Sequence, residues 1–163
     1  MKQAGECFIE GYIQMSNIYA PWWDATITIY NRYEDPVTNI VMWFKHTVTN
    51  CFWKYTGDKV TVGETVLETN NIICRIPKND IFLEKYLWLD LPNDEMANYF
   101  TLGQGDIIVK GEVTDNIDEY TAGYRSSDFI AKYKGLQGCM EVEEVAINTG
   151  FGRGSEHYYV KGV

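Results

Sequence analysis

The chain has 163 residues, a formal charge of −9 and a pI near 4.7. Its length suits one domain with a sizeable core, stable without a disulfide or metal. A surface this acidic is not built to neutralise many phosphates, which excludes a nucleic-acid reader but suits a wall past which DNA slides. Aromatic residues make up 15% of the chain, a density that points to half-buried strands or aromatic contact surfaces.

The N-terminal stretch "MKQAGECFIEGYIQMSNIYAPWW" carries Glu6 and Glu10 and lacks the apolar block of a signal peptide. Phe8, Ile9, Tyr12 and Ile13 fall at helical spacing, so residues 1–24 read as a short amphipathic arm ended near Pro21. No later stretch approaches the ~20 apolar residues needed to span a bilayer, and the reading is a soluble chain with no membrane partner. From Ala25 to Tyr33, "ATITIYNRY" alternates as a strand with one covered face, and Glu34-Asp35-Pro36 is its turn. "IVMWFKHTVTNCFWKY" and "VTV" then predict a hairpin bending at Gly57-Asp58. A third strand, "ETVLETNNIICRI", is interrupted at Asn70-Asn71 and ended by Pro77, and three adjacent β-segments imply an antiparallel arrangement.

Residues 78–103 form an irregular insertion, in which Leu83, Leu87 and Leu91 keep helical spacing while Tyr86, Trp88 and Leu89 also suit an extended segment. Asn93 or Asp94 can cap one helical turn through Ala97. "GQGDIIVKGEV" predicts a strand with Ile107, Val109 and Val113 on one face and Asp106, Ile108, Lys110 and Glu112 on the other. "SSDFIAKYKG" predicts the one short α-helix: a Ser cap, Asp128 in the first turn, Phe129, Ile130 and Tyr133 on one side, and Gly135 as the stop. "CMEVEEVAIN" and "EHYYVKGV" are the last strands, the first with a β-bulge where Glu143-Glu144 breaks its alternation. No internal repeat or linker divides residues 25–163, which read as a single mainly β domain, a small antiparallel barrel or sandwich.

Candidate chemistry is sparse. Gly150, Gly152 and Gly154 alternate with Phe151 and Arg153, but a dinucleotide or phosphate loop requires a helix after it to supply its amides, and "SEHYYVKG" is strand-like. The glycines therefore read as the connecting loop of the last hairpin. His157 shares a strand face with Tyr159 and Lys161 and reads as solvated; so do Asp115, Asp118 and Glu119, which lack the spacing of a calcium loop. Cys7, Cys51, Cys74 and Cys139 form no CxxC pair with His46 or His157 in reach, and three of them lie in apolar strands, so they read as reduced thiols and no metal is assigned. No catalytic residue and no cofactor is assigned, and the enzyme class is set aside.

The stretches "ITIYNRYEDPVTN", "NCFWKYTGDKVTV", "CRIPKNDIFLEKYLWLDLPNDEMANYFTLGQGDIIVKGEV", "SSDFIAKYKG" and "INTGFGRGSEHYYVKG" resemble an uncharacterised prophage family. That family is encoded among head and tail assembly genes of phages of Gram-positive bacteria and is often labelled minor capsid protein. The resemblance covers residues 25–163, while residues 1–24 do not match its usual start. By analogy with small β-barrel head-closure proteins, it implies a homo-oligomeric neck ring, made in the bacterial cytoplasm and carried in the virion. The ring's partners would be a portal or adaptor and tail proteins, with DNA passing and no sequence-specific binding. Gly150, Phe151, Gly152, Arg153 and Gly154 are then the candidate subunit-interface loop. The alternatives are a tail terminator, a capsid decoration protein, a carbohydrate- or small-ligand-binding β-module using the tryptophans, and an acidic inhibitor of a host DNA-binding enzyme.

Overall fold

The fold is a closed, fully antiparallel barrel of six strands with two short helices, seen in a computed structural model that describes residues 21–150 and 156–163. The strands are β1 (Ala25–Glu34), β2 (Val41–Val62), β3 (Thr65–Pro77), β4 (Ile107–Lys110), β5 (Cys139–Asn148) and β6 (His157–Gly162). They pair in the order β1-β2-β3-β6-β5-β4, and β4 returns to β1. Of the two architectures the sequence allowed, the barrel is the one formed.

Period-two alternation decides what faces inward. Ile27 and Ile29 of β1, Val48 and Cys51 of β2, Ile72, Cys74 and Ile76 of β3, Ile108 of β4, Met140 and Val142 of β5, and Tyr158 and Val160 of β6 form the interior cluster, completed by Phe100 and Leu102 from the insertion. A second cluster lies on the outer face: Tyr30, Ile107, Val109 and Cys139 are covered by Val113, Ile117, Phe129 and Tyr133. The last two belong to α2 (Ser126–Leu136), so the predicted apolar side of that helix is the side that packs.

Several local expectations need correction. The hairpin bends at Gly63-Glu64, not Gly57-Asp58, because Gly63 supplies the positive φ of +63° that a two-residue connection requires. Gly57 instead pairs with Asn70 inside a continuous ladder, so Asn70-Asn71 does not interrupt β3. Helix α2 runs through Gly135 and stops at Gly138 (φ +98°), whose amide bonds the Tyr133 carbonyl; a helical backbone accepts glycine, but the left-handed exit favours it. Arg125, not a serine, occupies the position before the helix and makes no side-chain cap.

Strand β4 ends at Lys110, where Gly111 turns with φ +100°, and Asp106 and Ile108, on the face opposite Ile107 and Val109, are fully buried. "IIV" is a continuous apolar run, covered inside by the barrel core and outside by α2. The bulge in β5 falls between Val142 and Glu144, as the broken alternation predicts. A second helix, α1 (Lys85–Leu89), and a 3₁₀ turn (Met96–Asn98) lie in the irregular insertion, which closes one end of the barrel. Trp88, fully buried, is the plug: its ring meets Tyr33 and Phe44 edge-on and its indole N–H donates to the Met96 and Tyr99 carbonyls. The predicted arm falls mostly on residues 1–20, outside the described residues. Of its end, Trp22 is 65% exposed and Trp23 is buried against Phe52 and the edge of the His157 ring.

Candidate functional site

The antiparallel order sends the β1–β2 turn, the insertion and the β5–β6 loop to one end of the barrel and the β2–β3 turn to the other, while the segment after β4 runs back along the outside, its Tyr120 hydroxyl accepting from the Val41 amide. Gly150 and the stem residues Asn148 and Glu156 therefore lie at the insertion's end. Pairing of Asn148 with His157 makes the glycine run a hairpin connection, and the next element is β6 rather than a helix. Phe151, Gly152, Arg153 and Gly154 lie outside the described residues; Gly150 does not. Its amide donates to Glu156 Oε1 at 2.8 Å, and Glu156 Oε2 pairs with Lys78 Nζ at 3.1 Å. The Gly150 amide, then Lys78, hold the Glu156 carboxyl below its ordinary pKa. The stem of the loop is thus tied to the first residue of the insertion, and the Tyr158 hydroxyl, which accepts from the Asn79 amide at 3.4 Å, adds to the tie.

Several apolar side chains are exposed at this end of the barrel. Ile81, Tyr86, Leu87 and Leu89 of the insertion and Ile147 of β5 are exposed, and at the β1–β2 turn Val37 is 87% exposed beside Ile40. Tyr55, Tyr124 and Leu136, away from this end, are exposed as well, so apolar exposure alone does not single it out.

Beneath it lies a polar cluster that alternation hid. Asp106 is 0% exposed and accepts hydrogen bonds from Asn31 Nδ2 (2.9 Å), the Arg32 amide (2.9 Å) and Lys85 Nζ (3.0 Å). Asn31 spends its remaining capacity on Thr101, donating to its carbonyl at 2.7 Å and accepting from its amide at 3.1 Å. Burial raises the Asp106 pKa; Lys85, the Arg32 amide and Asn31 oppose that without cancelling it. Lys85 Nζ also sits over the Trp88 ring at 4.9 Å and donates to the Arg32 carbonyl at 3.3 Å. The cluster fastens the insertion to β1 and β4. The signal that could have found it is the same "IIV" run, because a strand buried on both faces leaves the preceding Asp no wet side.

The other singled-out groups are each committed elsewhere. Asp115 accepts from Lys132 Nζ and the Tyr133 hydroxyl, Asp118 from the Tyr120 amide and Thr121, and Glu119 from Trp43 Nε1 and the Ser126 amide. They do not converge, and no group of His, Cys, Asp and Glu that could hold a metal occurs among the described residues. His157 is half-buried, with Nε2 3.2 Å from Asn148 Nδ2. His46 points into the barrel against Phe100, and burial lowers its pKa against the opposing pull of the Tyr99 and Ala97 backbone; its Nε2 has no partner within hydrogen-bond distance. Cys51, Cys74 and Cys139 are buried free thiols, and burial pushes Cys139 up to about 12.

A family model described as "Family of unknown function (DUF6751)" matches residues 22–163. The chain belongs to the DUF6751 family. No curated protein and no solved structure matches it. In this DUF6751 member the match begins at Trp22, so it takes in the whole barrel, the insertion and the glycine loop. No helix among the described residues is long and apolar enough to cross a membrane.

Proposed function

We propose that this DUF6751 protein is a virion structural subunit of a phage head-to-tail connection, a head-closure or neck ring subunit that stacks on a portal or adaptor complex and receives tail proteins. The observation that carries the reading is the two-ended barrel. One end presents the stem of the glycine loop, the β1–β2 turn and the insertion, and the other presents the β2–β3 turn, so a subunit in a stack has a separate surface for each neighbour. The segments resembling prophage minor capsid proteins run through the same barrel. The charge of −9 suits a channel wall that must not hold DNA.

The arrangement of tryptophans counts against a carbohydrate-binding module. Trp88 and Trp23 are buried, Trp43 is half-buried and donates to Glu119, and Trp53 is half-buried with its ring edge-on to Tyr55, so of the five tryptophans Trp22 alone is largely exposed. A tail terminator or decoration protein is the competing virion role. Cryo-electron microscopy of purified virions decides: density for this barrel at the neck is expected, and its absence from mature particles or its location on the capsid shell overturns the proposal. A Phe151→Ala/Arg153→Ala variant should fold normally and lower phage assembly; an unchanged titre would remove that loop from the interface.

A further inference from the structure

The polar cluster at the foot of the insertion sets an amine and a carboxamide against one carboxylate. Lys85 Nζ lies 3.0 Å from Asp106 Oδ1 and 3.4 Å from Oδ2, and Asn31 Nδ2 donates to that same Oδ2 at 2.9 Å. Asn31, Thr101 and Asp106 are each 0% exposed, and the buried Trp88 ring lies 4.9 Å from Lys85 Nζ. The lysine stem is guided as well: a methyl group at Gly103 would fall 3.1 Å from Lys85 Cδ, so glycine there leaves the stem room to run toward Asp106.

The Asn31 amide is held as an electrophile. Its oxygen accepts from the Thr101 amide at 3.1 Å, a donor placed where negative charge develops when the amide carbon is attacked. Its nitrogen donates to the Thr101 carbonyl at 2.7 Å and to Asp106, which fixes the plane of the group. An ion pair needs only Lys85 and Asp106. A carboxamide on the same carboxylate, polarised from its other side, is what acyl transfer to the lysine requires.

We propose that Lys85 and Asn31 are the partners of an intramolecular amide cross-link, with Asp106 as the proton carrier. Lys85 Nζ passes a proton to Asp106, and the free amine attacks Asn31 Cγ, forming the Nζ–Cγ bond and a charge on Oδ1 that the Thr101 amide holds. Asp106 then protonates Nδ2 and takes a second proton from Nζ, the Cγ–Nδ2 bond breaks, and ammonia leaves. One ammonium and one carboxamide thus become one secondary amide and ammonia, with the lysine's other proton left on Asp106. The balance calls for no oxidant or reductant. Burial favours the protonated form of Asp106, as a proton carrier beside an ammonium needs. Lysine is an ammonium at neutral pH and only its free amine attacks, so the freshly folded chain holds the ion pair and the bond accumulates with age. The product ties the insertion covalently to β1, whether or not the protein sits in a phage neck.

Mass spectrometry of the full chain tests the assignment. After ageing at mildly alkaline pH, the intact mass should fall by that of one ammonia. A tryptic digest should contain a branched peptide joining the segments around Asn31 and Lys85, with cleavage after Lys85 lost. Lys85→Arg keeps a cation beside Asp106 but has no primary amine, so its mass should not change; the parent's own peptide map does not depend on that variant folding. An aged parent of unchanged mass overturns the proposal. So does an ammonia loss that persists in Lys85→Arg or in chain aged unfolded in urea, or one that maps to a cyclised asparagine with Lys85 still cleaved. Loss of one water, joining Lys85 to Asp106, would overturn it too, by making Asp106 the acyl donor.

Discussion

Replacing Lys85 by Met isolates the buried carboxylate at the foot of the insertion. Methionine keeps the aliphatic stem near Trp88 but removes the only ammonium on Asp106, whose pKa burial already raises and Lys85 pulls down. The Arg32 amide and Asn31 still hydrogen-bond the carboxylate, and Lys85 is 29% exposed, so the loss is smaller than the roughly 3–5 kcal/mol of breaking a fully buried pair. About 2 kcal/mol at pH 8 is the expected cost. Linkage sets the sign with pH: a carboxyl whose folded pKa lies above its unfolded value binds more protons when folded, so its contribution is best below the unfolded pKa and is lost as pH rises through the folded one. Lys85→Met raises that folded pKa further, so the variant should lose more stability than the parent between about pH 4 and pH 8. Urea unfolding at those two pH values measures it. A stability difference between parent and variant that is the same at both would refute the argument that Lys85 works by neutralising Asp106.

Trp88→Phe keeps the plug but strips the donor from the Met96 and Tyr99 carbonyls, and should cost about 2–3 kcal/mol in urea unfolding; a cost under about 0.5 kcal/mol would mean those carbonyls find other donors. Gly162→Ala puts a methyl group into the backbone carbonyl of Glu141 and against Met140, so the β5–β6 pairing must shift, at about 1–3 kcal/mol; a neutral result would show that β6 gives way freely. Cys51, Cys74 and Cys139 should react with an aromatic disulfide reagent at pH 8 only after denaturation, since all three are buried and the Cys139 thiol is pushed up to about 12; mass-mapped modification of any of them in the folded protein at the rate of an exposed thiol would contradict this.

Much of the barrel is legible in sequence because alternation is a strong signal wherever one face is wet. β5 and β6 have this pattern, down to the bulge at Glu143-Glu144, whereas β1, expected to have one covered face, is buried on both from Ile27 to Asn31 because α2 and its segment cover Thr28 and Tyr30. Alternation is silent where both faces are dry: it sets Asp106 on one face with Ile108, Lys110 and Glu112 and gives no sign of the polar cluster with Asn31, Thr101 and Lys85. Turn chemistry is ambiguous between neighbouring glycines: Gly57-Asp58 and Gly63-Glu64 both look like hairpin tips, and only the register with β3 chooses. The same ambiguity hides how far β2 and β3 run, since a bend at Gly57 would end them short of the Val62↔Thr65 pair. For the insertion, a five-residue helix is too short to show a period, and Trp88 is held by contacts with Tyr33 and Phe44 that are remote in sequence. The glycine loop is readable as a connection from the strand-like "HYYVKG" after it, though four of its five candidate residues lie outside the described structure.

The barrel is closed by β4, a strand of four residues that meets β1 through Ile27↔Lys110 to Tyr30↔Ile107 and meets β5 through three pairs. Its partners on β1 lie about 80 residues away in sequence, whereas β1, β2 and β3 form a meander of neighbours and β5 and β6 a hairpin. Ordering so long a loop costs entropy before the contact repays it, so this seam is expected to zip after the transition state has formed. Trimming Ile108 to Val should then speed unfolding and leave the refolding rate nearly unchanged, a φ-value near zero, while a value near one would put closure at the start. A barrel that closes last keeps its meander and hairpin formed while the seam is still open.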